Sequence, residues 1–392
     1  MGCSDKARVL VVHNAYQQRG GEDSVVEAEV ALLTRHGHDV EMLLRHNDDV
    51  DQMSRMSVAV QTMWSRQTTC QVTEAVQRFR PDVVHVHNAF PLVSPSVFWA
   101  ARDLGVPTVM TLHNFRLLCP QATLLRDGQV CERCVGHFPW EAVVHGCYRE
   151  SRVQSAAVAM MLGLHRVLGT YVSKVNRFIA LNEFCRSKFI EGGLPDDRIV
   201  IKPNFVDGVS RPQEGARKGG LYVGRLSVEK GIQVLLSALQ QYPVHEVEII
   251  GSGPLESQVR AVAGPTYRGA QPLNVILSKM QAASYLVIPS VCYEGFPRTL
   301  VEAFASGLPV IASRHGSLAE LVQEGRTGLL FEPGDASDLL VKLQWADAHP
   351  EAMRAMGQNA RVAYEQSYTA ERNYELLSSI YDQTREAEMM RG

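Results

Sequence analysis

The feature that most constrains this chain is a rhythm of short apolar runs, each followed by a turn and a helically spaced stretch, which halts near residue 202 and restarts near 219. In the first half "RVLVV" (8–12), "HDVEMLL" (38–44), "PDVVHVHN" (81–88), "PTVMTLHN" (107–114), "RFIALNEF" (177–184) and "RIVIKPN" (198–204) read as strands. Between the first two, residues 24–36 set Val25, Val26, Glu29, Leu32 and Leu33 at helical spacing. In the second half "GGLYVGRLS" (219–227), "VEIIGSGP" (247–254), "ASYLVIPS" (283–290), "LPVIAS" (308–313) and "GLLFEPGD" (328–335) do the same, with a helix over 230–241. Strands alternating with helices imply parallel sheets covered by helices on both faces. The expected fold is therefore α/β, with two Rossmann-like, doubly wound domains facing a central cleft. The first spans 1–203. A hinge covers 204–218, where Pro and Gly break the periodicity, and the second domain spans 219–368. The tail, 369–392, holds one amphipathic helix (Ala370–Met390) expected to pack back on the first domain. Ligands of such sheets bind outside the carboxyl ends of the strands.

Composition narrows the function classes. Apolar residues make up 45% of 392, enough for more than one large core, and a net charge of −3 gives no electrostatic reason to bind nucleic acid. No run of eighteen apolar residues appears, so no membrane-spanning helix is expected. The start, "MGCSDKARVLVV", lacks the layout of a secretory signal, and Lys6 stands where N-acylation wants Ser or Thr. A short unstructured start and a cytoplasmic location are expected.

The stretch "YEGFPRTLVEAFASGLPVIAS" (293–313) carries the most chemistry. Glu294 falls in the loop after a strand, and Glu302 falls near the first turns of the helix that Gly307 ends. Between them the helix start offers backbone N–H groups near Thr299 and Leu300, a natural phosphate site. Gly295 lets backbone approach a ligand closely. Two carboxylates flanking a phosphate site suit a ligand with hydroxyls on both sides of a phosphate: a sugar, a diphosphate and a ribose. "GRLSVEKG" (224–231) adds Arg225 and Lys230 after another strand, cations able to neutralise a diphosphate as it leaves. "GSGP" adds a turn at Gly251 and Gly253. In the first half Gly20 and Gly21 of "RGGED" open a helix after the first strand and permit a close diphosphate approach. His113 and His87 stand at strand ends.

Together "GGED", "TLHNF", "KPNFVD", "YVGRLSVEKG", "IIGSGP" and the 293–313 stretch, with its E-x7-E element, resemble the GT4 family of retaining glycosyltransferases, which have the GT-B fold. The resemblance covers nearly the whole chain. It implies that Glu294 binds donor-sugar hydroxyls, Glu302 binds the nucleotide ribose, Arg225 and Lys230 clamp the diphosphate, and Gly295 and Phe296 offer amides to the sugar. It also implies that His113 touches the donor sugar or stabilises charge near the anomeric carbon; His87 is a candidate acceptor-site residue. The resemblance also implies retention of configuration, which can proceed by front-face attack, with a departing phosphate oxygen taking the acceptor proton. No catalytic metal is expected, since neither an Asp-x-Asp nor another carboxylate pair suggests one, and Asp207 reads as a hinge residue. The expected activity is transfer of a sugar from a UDP- or GDP-sugar to a glycan or lipid-linked acceptor in cell-envelope or exopolysaccharide synthesis. The rivals are a nucleotide-sugar epimerase or hydrolase on the same fold, and a non-catalytic nucleotide-sugar-binding subunit. A dinucleotide-dependent dehydrogenase is excluded, because no G-x-G-x-x-G follows the first strand.

Two further features stay open at this level. Cys119, Cys131, Cys134 and Cys147 form C-x11-C-x2-C-x12-C in a turn-rich insertion (119–147), compatible with a structural zinc site beside the acceptor, with scattered thiols, or with disulfides in an oxidising compartment. The segment 151–177 mixes small and apolar residues with Arg152, Arg166, Lys174 and Arg177. It reads either as a core helix or as a surface lying on the inner face of an anionic membrane.

Overall fold

The computed structural model describes residues 6–18, 20–209, 215, 217–241 and 246–390. The first five residues, Arg19 of "RGGED", and residues 210–214 and 216 of the expected hinge lie outside the described residues. The chain divides into two compact units. The first comprises Met1–Ala122, Glu132–Pro203 and Asn373–Gly392; the second comprises Thr123–Cys131 and Asn204–Arg372.

The strands in chain order are β1 (Arg8–Ala15), β2 (Asp39–His46), β3 (Val83–Asn88), β4 (Thr108–Thr111), β5 (Leu125–Arg126), β6 (Gln129–Val130), β7 (Arg177–Ala180), β8 (Ile199–Ile201), β9 (Gly220–Val223), β10 (Val247–Ile250), β11 (Tyr285–Ile288), β12 (Val310–Ser313) and β13 (Gly328–Phe331). The first unit holds a parallel sheet in the order β2-β1-β3-β4-β7-β8. The second holds a parallel sheet in the order β10-β9-β11-β12-β13, and β5 and β6 form a separate antiparallel pair. In each large sheet the chain first moves to one side and then returns past its starting strand. Strand order therefore reverses between β1 and β3 and between β9 and β11, and at such switch points the loops part and leave a crevice.

Apolar strands buried on both faces explain why these runs read as continuous rather than alternating. In the first unit Val9, Val11, Val83, Val109 and Ile179 pack with Leu33 of the helix Gly21–Arg35 and with Leu377, Ile380 and Tyr381 of the helix Ala370–Met389. The second unit buries Leu235 and Leu236 of the helix Ile232–Gln241 with Val247, Tyr285, Ile311 and Phe331.

Two local expectations are corrected. "RFIALNEF" is not all strand: β7 stops at Ala180, and the Asn182 side chain accepts a 2.8 Å hydrogen bond from Cys185 N–H, capping the helix Glu183–Glu191. The 151–177 segment is not one helix. Arg152–Val167 is helical, Gly169 breaks it at φ +62°, Thr170–Ser173 forms a single turn, and Arg177 opens β7.

Candidate active site

The second-unit site is built at the β9/β11 switch point. The loop after β9 carries Arg225 and Lys230, and the loop after β11 carries Glu294. The two loops are tied by a 3.0 Å bond from Val291 N–H to the Glu229 carbonyl. Gly231 makes this approach feasible: at φ +65°, any Cβ would lie 1.7 Å from the Pro289 carbonyl oxygen. Lys230 Nζ meets both oxygens of Glu294, at 2.7 and 2.8 Å, and Ser290 Oγ donates to Oε1 at 2.5 Å. Burial alone would raise the Glu294 pKa, but the Lys230 ammonium outweighs it and holds the carboxyl below its usual range. Reciprocally, burial disfavours the charge on Lys230, and Glu294 holds its pKa up. Arg225 is exposed and makes no ion pair among the described residues.

Glu302 is buried in the helix Arg298–Ala305, with Arg298 Nε 3.0 Å from its Oε1. Burial outweighs this pairing, and its pKa is raised. Phe296 is buried with its ring edge-on to Tyr368, and Gly295 and Thr299 are half-buried. Three backbone N–H groups expected to meet phosphate are already engaged. Gly251 N–H donates to the Gly269 carbonyl at 2.9 Å, Leu300 N–H to the Pro297 carbonyl at 3.1 Å, and Gly20 N–H to Asp23 Oδ2 at 2.7 Å. Gly251 has another reason to be glycine: a Cβ there would fall 1.8 Å from the Gly224 carbonyl oxygen. The Gly251–Gly253 turn thus packs directly on the backbone of the loop that carries Arg225.

In the first unit Gly20 precedes the helix that starts at Gly21, and Asp23 reaches back to cap it. His13 Nε2 lies 2.8 Å from Asp23 Oδ1. Glu22 accepts from Tyr16 OH at 2.8 Å and from Asn114 Nδ2 at 2.7 Å. Deeper, a buried set of charged and imidazole groups lies at the ends of β3, β4 and β8. Lys202 Nζ is 2.5 Å from Glu29 Oε1, His87 Nδ1 is 2.9 Å from His113 Nε2, and His85 meets Tyr381 OH at 2.7 Å and Thr111 Oγ1 at 2.8 Å. Burial lowers the pKa of all three histidines, and of His85 and His87 strongly, so they are neutral.

Glu29, His85 and His87 offer ligand atoms within 4.8 Å of one another. A metal does not fit them well: Lys202 already neutralises the carboxylate, and both nitrogens of His85 are hydrogen-bonded. Among the described residues no such ligand group includes Cys119, Cys131, Cys134 or Cys147. A cavity of about 680 Å³ in the second unit, lined in part by Arg217, Arg354 and Arg361, borders Ser284 and Pro309. These residues precede β11 and β12, so the cavity lies at the opposite strand ends from Lys230 and Glu294. Sequence reasoning missed Glu22, Ser290, Arg298 and Lys202, because each is defined by a partner distant in the chain or by burial. Only Arg298, four residues before Glu302, had a readable helical spacing.

Two family models match. One described as Glycosyl transferase 4-like domain covers residues 20–204, and one described as Glycosyl transferases group 1 covers 217–346. Sulfoquinovosyl transferase SQD2 of Arabidopsis thaliana is 24% identical over 300 residues, which is 74% of this chain and 54% of SQD2; the chain thus spans about half of that relative. Among solved structures, sucrose-phosphate synthase from Thermosynechococcus elongatus superposes with a TM-score of 0.73 at 18% identity, covering 97% of this chain and 100% of that one. HepE of Anabaena in complex with UDP superposes with a TM-score of 0.65 at 16% identity, covering 96% and 100%.

Proposed function

We propose, from the premise that this chain belongs to the group 1, GT4-like glycosyltransferases and has their GT-B fold, that it moves a sugar from a nucleoside-diphosphate sugar to a glycan or lipid-linked acceptor with retention of configuration. The observation that carries this reading is the Lys230–Glu294 pair at the β9/β11 switch point, on whose β9 loop Arg225 makes no ion pair among the described residues. An ammonium has three N–H donors. With two on Glu294, the third is left for a phosphate oxygen, so one lysine links the sugar-binding carboxylate to the diphosphate. Arg225 supplies the second cation. In the proposed reaction the acceptor hydroxyl oxygen bonds to the anomeric carbon while its bond to phosphate breaks. The bond electrons leave on the phosphate oxygen, which takes the acceptor proton from the same face. Lys230 and Arg225 stabilise the growing charge. His113 meets the sugar, and Glu302 accepts hydrogen bonds from ribose hydroxyls. That HepE was solved with UDP favours a uridine donor.

The test is a thermal-shift screen of UDP- and GDP-sugars, followed by NMR of the anomeric proton in the product formed from the best donor. One sugar nucleotide should stabilise the protein and yield an α-configured product from an α-linked donor. Stabilisation by none of them would overturn the reading; an inverted product would overturn retention alone.

Ribose recognition predicts a pH dependence with a definite sign. A protonated Glu302 loses acceptor capacity, and its pKa lies above the ordinary value. By itself this raised group stabilises the fold at pH below its unfolded pKa, and that contribution disappears as pH rises through the folded pKa. UDP binding runs the other way: affinity should fall as pH drops through the raised pKa, and Glu302→Gln should flatten that limb. Isothermal titration of UDP between pH 5 and 8 reads it, and an identical limb in the variant would reject the ribose role.

The first unit also presents an apolar face. On the helix Arg152–Val167, Val153 (80% exposed), Met160 (54%) and Val167 (87%) follow a seven-residue step, while Val158, Met161 and Leu162 on the other side are buried. Met56 on the adjoining helix Arg55–Met63 and Trp140 on the helix Trp140–Val144 are exposed beside Arg55 and Arg152. Among the described residues no helix is long and apolar enough to cross a membrane. The proposed occupant of this face is an anionic bilayer carrying the acceptor, on the cytoplasmic side. Sedimentation with vesicles should show binding to phosphatidylglycerol but not to phosphatidylcholine alone, reduced by Val153→Asp/Val167→Asp. Equal binding by that variant would count against surface docking.

A further inference from the structure

His113 does not stand alone. It follows β4, and its Nε2 is 2.9 Å from Nδ1 of His87 at the end of β3. His87 Nε2 in turn faces Glu29 Oε2 at 3.6 Å, and the other oxygen of that carboxylate is held by Lys202 at 2.5 Å. Glu29, His87 and Lys202 are all fully buried, whereas His113 borders a small cavity of about 40 Å³ and its Nδ1 has no hydrogen-bond partner among the described residues. Two neutral imidazoles share the 2.9 Å contact, so one N–H donates and the other nitrogen accepts. Which does which decides what His113 presents on its far side.

Glu29 makes that decision. Its Oε2 is buried and has no hydrogen-bond partner among the described residues. At 3.6 Å from His87 the contact is too long for a hydrogen bond but short enough for the carboxylate to orient the ring's proton. If the His87 proton sat on Nδ1, its Nε2 lone pair would face a buried carboxylate oxygen, two acceptors opposed with nothing between them. With the proton on Nε2, an N–H faces the oxygen. The Nδ1 lone pair is then turned to His113, which must donate from Nε2 and keep a lone pair on Nδ1. We propose that Glu29 and His87 are positioning residues that lock His113 as its Nε2–H tautomer, so that His113 meets the ligand through Nδ1 as a hydrogen-bond acceptor for a sugar hydroxyl. The tautomer lock stands on the geometry of the first unit; the hydroxyl contact rests on the donor-site reading given above. Lys202 completes the device by keeping Glu29 ionised where burial alone would protonate it.

The full chain with 15N-labelled histidine tests this by NMR, because long-range nitrogen–proton couplings distinguish the two tautomers; the His113→Gln variant assigns the signal. In the wild type His113 should be protonated on Nε2. In Glu29→Gln the amide oxygen faces Lys202 and its NH2 turns to His87, so both rings should exchange tautomers and His113 should become Nδ1–H. A folded Glu29→Gln protein with an unchanged His113, or a wild type already protonated on Nδ1, overturns the proposal. If Glu29→Gln does not fold, the His87 variants decide. His87→Asn keeps an acceptor near the Nδ1 position and should preserve the Nε2–H form. His87→Leu should lose it, and its retention there overturns the lock. With UDP-glucose and UDP as probes, Glu29→Gln should weaken UDP-glucose binding about tenfold, the value of one hydrogen bond, and leave UDP unchanged. Equal UDP-glucose affinity in His113→Ala and wild type would sink the sugar-contact reading while leaving the tautomer result intact, so the two failures are distinguishable.

Discussion

Glu294→Ala is expected to reduce sugar transfer by about a hundredfold or more, the size seen when a transition-state contact is removed, and to do so at a visible cost in stability. The stability cost follows because Lys230 and Glu294 hold each other's charge in a buried setting. Breaking one side of such a pair costs about 3 kcal/mol, at the lower end of the usual range because the Lys230 side chain is one-third exposed. Lys230→Met should cost more stability than Glu294→Gln, since it strands an ionised carboxylate rather than a solvent-accessible ammonium. The double variant should recover most of the loss without recovering activity. Initial rates and urea denaturation of the wild type and these four variants check this. More than half the wild-type rate in any single variant would refute the assigned roles, and strictly additive stabilities would refute the coupling. The depressed Glu294 pKa fixes the sign of the pH effect: its stabilisation is present above the ordinary glutamate range and is lost as pH falls through the lowered value.

A larger stability effect is expected at Lys202. Both partners of the Lys202–Glu29 pair are out of water, at 0% and 2% side-chain exposure. Lys202→Met strands Glu29 among neutral histidines. Cores of this kind lose about 3–5 kcal/mol when one partner is removed, or about 10 °C in melting temperature for a unit of roughly 200 residues. Glu29→Met/Lys202→Met should return most of it, because a buried pair replaced by well-packed apolar groups is often neutral. Calorimetry of the wild type and the two variants decides; a double variant no better than Lys202→Met would show that the pair is needed for more than charge balance.

The architecture was legible because it is written in local pattern: continuous apolar runs such as "VVHVH" and "YLVI", helical spacing between them, and a break near 202. The 293–313 stretch was legible because its turn, helix start and two carboxylates lie within one short segment. The direct Lys230–Glu294 bond was not, since 64 positions separate the residues and nothing local tells a lysine bound to phosphate from one bound to glutamate. Nor was the engagement of the Gly20, Gly251 and Leu300 amides, the first held by the Asp23 carboxylate and the other two by backbone carbonyls. "NEF" was read as strand because the apolar count continues through Leu181, whereas the Asn182 cap ends it. Lys202 reads as the polar end of the 198–204 strand: a lone lysine before proline gives no sign that its ammonium will meet Glu29 and Asn373, on helices from opposite ends of the chain.

That meeting of distant helices matters during synthesis. The core that opens with Val9 is closed by Leu377, Ile380 and Tyr381. A nascent chain that has just completed β8 must therefore wait for some 170 further residues, roughly 10–35 s at ordinary elongation rates, before the part of its first core that Leu377, Ile380 and Tyr381 fill is closed. Throughout that interval the hydrophobic floor of the amino-terminal half is a target for chaperones and proteases, and a ribosome stalled late in the message would release a product whose earliest part had never finished folding.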